Sequence, residues 1–409
     1  MTLEGPFSEI NPPLQEKAKE LFEKNEIREL HELVKTEFNN YFEHANYEQR
    51  PSAPLISNRD ESVLFTGASI SAIKPILLSG NYPEGKNGVY ISQECLRTRA
   101  LKHAFENDYI PFGQTYFNMS TILSRPGRFK DVTQEALDFT VNRLGVDASR
   151  IIIRSTKTNN ELAAIDTYAG VRVDFDNQKS SYYHWNYGIP GVRGEGVAIC
   201  IFNPADNKYW DVGNIVMILD KENRELGTEF GYGHEFLLTA MVGVEEPLEM
   251  SQIFELHKLE GGLPKKYYSY LEAVVRMKRA GIKIGDHEEE HIYKQYLKSL
   301  QFMGQTLGKN IEEVVTEMKG FNEFLDGNSL DLEPEEELME RHLGRKLQVE
   351  QMVKRVGKFL WAREHGQKAK ETIQDPWAMI DNYLTQNGID KLEVKRELER
   401  LNRFKKETN

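Results

Sequence analysis

Few residue patterns in this chain carry chemistry in their spacing alone. HEEEH at 287–291 matches H-E-x-x-H: on a helix, His287 and His291 would share one face as a zinc pair, with Glu288 as base. The acidic Asp286, Glu289 and Glu290 around them and the lack of an evident third ligand favour a solvated acidic face, so no metal site is expected. GNYPEGKN at 80–87 approaches a phosphate-binding P-loop, but it ends in Asn87 and leads into the apolar run GVYIS rather than a helix. There is no Cys/His quartet and no G-x-S-x-G. The two cysteines, Cys95 and Cys200, are too few for a disulfide framework or a cysteine zinc site, so a reducing, cytoplasmic setting is expected.

The elements that must position any site divide the chain in three. Residues 12–45 repeat apolar positions at helical spacing, from Leu14, Ala18, Leu21 and Phe22 to Ile27, Leu30, Leu33, Val34 and Phe38. Between 50 and 250, β-rich runs bounded by turn residues predict strands at 62–67, 88–92, 114–119, 150–155, 170–175, 197–202 and 213–219. Helical patterns stand between some of them, notably at 130–145 and 233–243. Strands and helices do not alternate strictly, and no Gly-rich loop joins an early strand to a helix, so a Rossmann site is not expected. An α+β fold follows, with a mixed, mainly antiparallel sheet flanked by helices. From 251 onward the periodicity is helical throughout, which predicts an all-helical domain.

Composition agrees. The 409 residues suit two or three domains, and 39% hydrophobic residues with 20 Phe and 18 Tyr supply a core, which excludes a mainly disordered chain. No apolar stretch approaches membrane-spanning length, and the first thirty residues are charged throughout, unlike a secretory signal. The net charge of −12 is carried almost wholly by residues 1–250. Six acids crowd 331–340, whereas 341–370 hold nine bases and two acids. An acidic chain is no generic nucleic-acid binder, but such a basic segment is able to grip a phosphate backbone locally.

Four segments in fixed order are informative as a set: VLFTGASISAIKPILLSG (63–80), ISQECLRTRALKH (91–103), YYHWNYGIPGVRGEG (182–196), and YWDVGNIVMIL (209–219) leading to GTEFGYGHEF (227–236). Together they resemble the catalytic core of the alanyl-tRNA synthetases, a class II aminoacyl-tRNA synthetase family. The resemblance implies a class II synthetase-type domain over 38–250, an N-terminal helical extension over 1–37, and a helical domain over 251–409 resembling the family's tRNA-recognition domain. It further implies a truncated, free-standing paralogue without the editing and C-terminal domains.

On this resemblance, Arg97 falls on the motif 2 arginine that holds ATP's α-phosphate against the attacking carboxylate, and Lys102 near the lysine that follows it. Phe117 falls on the adenine-stacking ring of the returning strand, and Gly231 and Gly233 on the motif 3 glycines of the ATP site. For the amino acid, Trp185 falls on the pocket tryptophan, Asn214 on the asparagine of the preceding strand, and Glu229 where the family has an aspartate. The longer Glu229 side chain implies a smaller or a different amine-bearing substrate. Two positions depart from the family: Phe236 stands at the motif 3 arginine that clamps the γ-phosphate, and Asn118 at a motif 2 glutamate. Arg193, or Arg99 from the inserted turn, is the candidate substitute cation.

The implied function is activation of a small amino acid with ATP and Mg²⁺ as an aminoacyl adenylate. Transfer follows, to tRNA held by the helical domain or to a small molecule, peptide or carrier protein. Two alternatives stand beside it: a catalytically retired paralogue that binds tRNA, an amino acid or a partner and regulates, and a transferase that takes aminoacyl-tRNA as donor. A monomer or a homodimer is compatible with the sequence, and no membrane partner is expected.

Overall fold

A computed structural model describes residues 14–56, 63–106, 108–165, 168–257 and 261–344, with 349–350, 353, 392 and 394–399. Strands β1 (Tyr47–Gln49), β2 (Gly88–Leu96), β3 (Tyr116–Ser124), β4 (Ile151–Ser155), β5 (Arg172–Phe175), β6 (His184–Asn186), β7 (Arg193–Asn203), β8 (Lys208–Leu219) and β9 (Glu225–Gly233) form one sheet. The order is β1-β2-β3-β9-β8-β7-β4-β5, with β6 added on β7. Only β1–β2 and β4–β5 pair in parallel; every other pairing among the described strands is antiparallel. The α+β reading holds.

Most expected strands lie where the turn-bounded β-branched runs predict them, but 62–67 does not. Its described part is irregular, with a bend at Leu64 and a single bridge, Ile56 to Phe65. It is pinned instead by loop bonds: Thr66 N–H donates to the Leu55 carbonyl at 2.9 Å, and the Thr66 carbonyl accepts from Leu96 N–H at 3.0 Å. Strand β9 had no prediction, because three glycines in ELGTEFGYG hide its alternation.

Helices cover the sheet. On one face lie α1 (Leu14–Glu23), α2 (Ile27–His44), α4 (Phe129–Asp138, continued by a π-helical turn, Phe139–Arg143) and α6 (His234–Val242). Leu30, Val34, Phe38 and Phe42 of α2 recur every four residues and are fully buried in one core with Ile122, Phe139, Phe230 and Tyr232. The division expected at residue 37 thus falls inside a single helix, whose buried stripe runs unbroken across it. The other face holds α3 (Ile70–Ser79), packed on Val89, Ile91, Leu123 and Val216. A short helix, α5 (Asn160–Ala163), follows β4. Both thiols, Cys95 on β2 and Cys200 on β7, are free and fully buried.

After 251 the described chain is helical: α7 (Gly262–Arg279), α8 (Glu288–Thr306), α9 (Ile311–Asp326), then a helix over 333–344. The chain forms two compact units, Met1–Lys309 with Thr316–Leu330 and Asn310–Val315 with Asp331–Asn409. Helices α7 and α8 belong to the first, so its packing continues past residue 250. Within it, the Lys266 ammonium is wholly buried and donates to the carbonyls of His103 at 2.9 Å and Glu106 at 2.7 Å. In the second unit, Leu332, Glu335 and Met339 are buried. Most of the basic stretch 341–370 lies outside the described residues. No described helix is long and apolar enough to cross a membrane.

Candidate functional site

A cavity of about 720 Å³ opens on the sheet face that carries α3, bounded by the 63–71 segment, the end of β2, β6, β8 and β9. Alternation along the strands decides which side chains reach it. On β8, Asn214 and Val216 face it; directly across on β9 stand Gly231 and Glu229. Strand β6 adds Trp185, opposite Gly194 of β7. Two glycines keep this floor low. A Cβ on Gly231 would come within 2.5 Å of Thr121 Oγ1, and one on Gly194 within 2.5 Å of Val216 Cγ1 and 2.8 Å of the Tyr187 ring.

Arg97 leaves the end of β2, its N–H donating to the Thr115 carbonyl at 2.8 Å, and projects its guanidinium into the cavity. Nε donates to the Gly67 carbonyl at 2.8 Å, and the guanidinium carbon lies 4.7 Å from the centre of the Phe117 ring. Among the described residues nothing accepts from its Nη1. The protein around it lowers its pKa from the usual arginine value, and Arg99 adds to that. It nonetheless stays cationic at any physiological pH.

Among the described residues Glu229 is the one carboxylate that lines the cavity. Burial pushes its pKa up to about 7, against a hydrogen bond of 2.6 Å from the Tyr187 hydroxyl to Oε2. A carboxyl so poised gains charge as the pH rises through neutrality. The cavity therefore offers fixed cations at the end of β2 and a titrating acceptor on β9, a layout suited to a zwitterion and a phosphate together.

Of the candidate residues, Arg97, Arg99, Trp185, Asn214, Glu229 and Gly231 all line this one space. Phe117 does not; it lies under Arg97. Gly233 ends β9 and caps α6. Lys102 is exposed in the turn Arg99–His103 and does not line the cavity. Arg193 is not brought there either: it binds Glu195 at 2.9 and 3.1 Å, Asn223 Oδ1 at 2.7 Å and the Asp220 carbonyl at 3.3 Å. Of the two candidate substitute cations, Arg99 is the one that lines the cavity.

The two departures have structural partners. Phe236 packs its ring against Phe112 and Trp210, at 5.6 and 5.9 Å between centroids, so that position belongs to an aromatic cluster. Asn118 donates to the buried Glu235 from its backbone at 3.0 and 3.2 Å and from its amide at 3.4 Å. Burial holds the Glu235 pKa up at about 8, and a carboxylate at 118 would put a second acid against it in place of the amide donor.

Residue patterns alone missed Lys74 and Tyr187. Lys74 is buried on α3 and lines the cavity; a lone charge in ISAIKPILLS was a readable signal. Tyr187 had none, because nothing in NYGIPG marks a ring folding back toward β9. HEEEH proves to be a helix start. His287 is the N-cap of α8, its N–H donating to Glu290 Oε2 at 3.1 Å, and the three glutamates complement the helix dipole. Among the described residues no group of three His, Cys, Asp or Glu side chains is placed to hold a metal ion.

Residues 33–215 match the model of the family described as tRNA synthetases class II (A). The alanine–tRNA ligase of Buchnera aphidicola subsp. Baizongia pistaciae is 26% identical over 189 residues, 43% of this chain and 20% of the relative. That of Wolbachia pipientis wMel is 32% identical over 139 residues, 34% and 15% respectively. A structure of Entamoeba histolytica asparaginyl-tRNA synthetase in complex with asparaginyl-adenylate is 9% identical, with TM-score 0.37, over 62% of this chain and 71% of that one. The matched region thus spans a fifth or less of the curated relatives' length.

Proposed function

We propose that this chain, which carries an alanyl-tRNA synthetase-like class II core, activates a small amino acid with ATP and passes the acyl group to an acceptor. The observation that carries the reading is the meeting of Arg97 and Glu229 in one cavity, the first suited to a phosphoryl oxygen and the second to an ammonium. In the proposed step a carboxylate oxygen of the amino acid attacks the α-phosphorus of ATP, an aminoacyl adenylate forms and pyrophosphate leaves. Glu229 holds the ammonium, which presents the carboxylate; Arg97 neutralises charge gathering on the phosphoryl oxygens; Arg99 and Lys74 add cationic surface. The residues fit a nucleotide triphosphate in this respect. Mg²⁺ would be carried on the triphosphate's own oxygens, where it offsets their charge.

In this reading residues 38–250 do the chemistry, and the helices from 251 onward meet the acceptor, a tRNA or a smaller molecule. Selection among amino acids rests on the pocket, where one methylene is worth about 1–3 kcal/mol. Amino-acid-dependent exchange of pyrophosphate into ATP tests the reading across a panel of amino acids. Exchange with one or a few small ones is expected, rising as the pH passes about 7 with ionisation of Glu229. No exchange with any amino acid, from folded protein, sinks it. The second reading, a site that binds and no longer activates, is favoured by the apolar packing of Phe236, and it predicts amino-acid binding without exchange.

A further inference from the structure

Glu229 does not present its carboxylate alone. The Tyr187 hydroxyl takes Oε2 at 2.6 Å, and among the described residues no other group bonds to this carboxylate. The tyrosine is itself fixed: it is buried, with its ring packed over the space that a side chain at Gly194 would fill, beside Trp185 and Val216. A rigid ring therefore sets the direction of a donor, and the donor sets the orientation of the acid.

We propose that Tyr187 is the positioning residue of the amine subsite: by holding Oε2 of Glu229 it leaves Oε1 as the single acceptor for a primary ammonium on a small carbon skeleton. This rests on the reading that the cavity takes an amino acid. Its consequence is specificity by charge. One free oxygen in a cavity also lined by Trp185, Tyr187 and Val216 rewards a compact cation, and offers a neutral group of the same shape only an acid that keeps its proton.

The other groups around Glu229 do not replace this contact. Its neighbours in the sheet, Leu123 of β3 and Val216 of β8, are apolar. Lys74 of α3 and Arg97 and Arg99 past β2 line the same cavity without a bond to the carboxylate. Toward the start of β9, Tyr82 donates to the Leu226 carbonyl at 2.8 Å, and Glu225 accepts from Gly127 N–H and the Thr228 hydroxyl. Tyr187 is the contact that favours the charged form of Glu229 against burial.

The test compares two adenylate mimics by calorimetry between pH 5.5 and 8: glycyl-sulfamoyl-adenosine, which carries an ammonium, and acetyl-sulfamoyl-adenosine, which does not. The wild-type protein should prefer the glycyl compound, and the preference should grow as the pH passes about 7. Tyr187→Phe keeps the ring. It should cut that preference roughly 10-fold at pH 6.5 and move the midpoint of its rise up by about one pH unit. An unchanged far-ultraviolet circular dichroism spectrum reports that the variant is folded, and the acetyl compound is compared at pH 5.5, where Glu229 keeps its proton in both proteins. Glu229→Gln should abolish both the preference and its pH dependence. An unchanged preference and midpoint in Tyr187→Phe overturn the proposal. If the wild-type protein binds neither compound, or shows no preference, the amino-acid reading of the cavity fails first and the proposal falls with it.

Discussion

Arg97→Ala is expected to slow amino-acid-dependent ATP–pyrophosphate exchange by about 10²- to 10³-fold, the usual cost of removing one preorganised donor from a charge-developing centre. The geometry is of that kind. Nε is already committed to the Gly67 carbonyl and the guanidinium plane rests on Phe117, so the group is held before any ligand arrives. Little ordering remains for the transition state, and the loss should fall mainly on kcat, with KM for the amino acid changed only a few-fold because Glu229 is intact. Arg97→Lys separates charge from shape. Lysine restores the positive charge but neither the planar fork nor the Gly67 anchor, so partial recovery of no more than about 10-fold is expected. Full recovery with lysine would show that a point charge suffices. A wild-type rate in the alanine variant would remove Arg97 from the chemistry.

The second large effect is on stability. Phe38→Ala should cost about 3–5 kcal/mol, read as a lower urea midpoint at unchanged slope. Phe38 is fully buried and touches Phe42, Tyr90, Phe139 and Tyr232, with centroids 4.5 to 6.4 Å away. These rings come from α2, β2, the π-helical turn and β9, so the cavity left behind would be walled by four rigid elements with little freedom to collapse. If α2 were a dispensable extension laid on a finished domain, the cost would be below about 1 kcal/mol. The expected loss instead makes the N-terminal helices part of the same cooperative unit as the sheet.

How far the sequence could be read follows from how local each signal is. Strands β7 and β8 were legible because Ile, Val and Ala runs are bounded by Asp, Asn or Gly, and β4 because three consecutive Ile stand between polar residues, patterns fixed by neighbours in the chain. The segment from Val63 to Phe65 carries the same composition, yet its apolar side chains line the cavity and pair with no strand. Composition cannot separate those uses. For the site, Arg97, Gly231 and Glu229 were picked out by the resemblance of their segments to the synthetase core, not by any spacing of their own, and all three line one cavity. Arg193, offered beside Arg99, stands two residues before Glu195 on one strand, which puts both on the same face, where they pair. The Tyr187 contact crosses 42 positions and depends on a glycine in a third strand, so no window of residues contains it.

The burial of both thiols gives the protein a built-in reporter of local opening. Cys95 sits two residues before Arg97, at the site end of the sheet, and Cys200 on β7 pairs with Ile152 of β4 toward the opposite edge. Burial raises the pKa of each well above that of a free thiol, so neither offers much thiolate to a reagent while its strand is in place. Alkylation therefore proceeds through transient exposure, and its rate at each cysteine measures the free energy of unzipping that part of the sheet. A ligand seated against Arg97 would slow labelling of Cys95 and leave Cys200 almost untouched. Occupancy of the cavity can thus be read by mass from two peptides, without any assay of turnover.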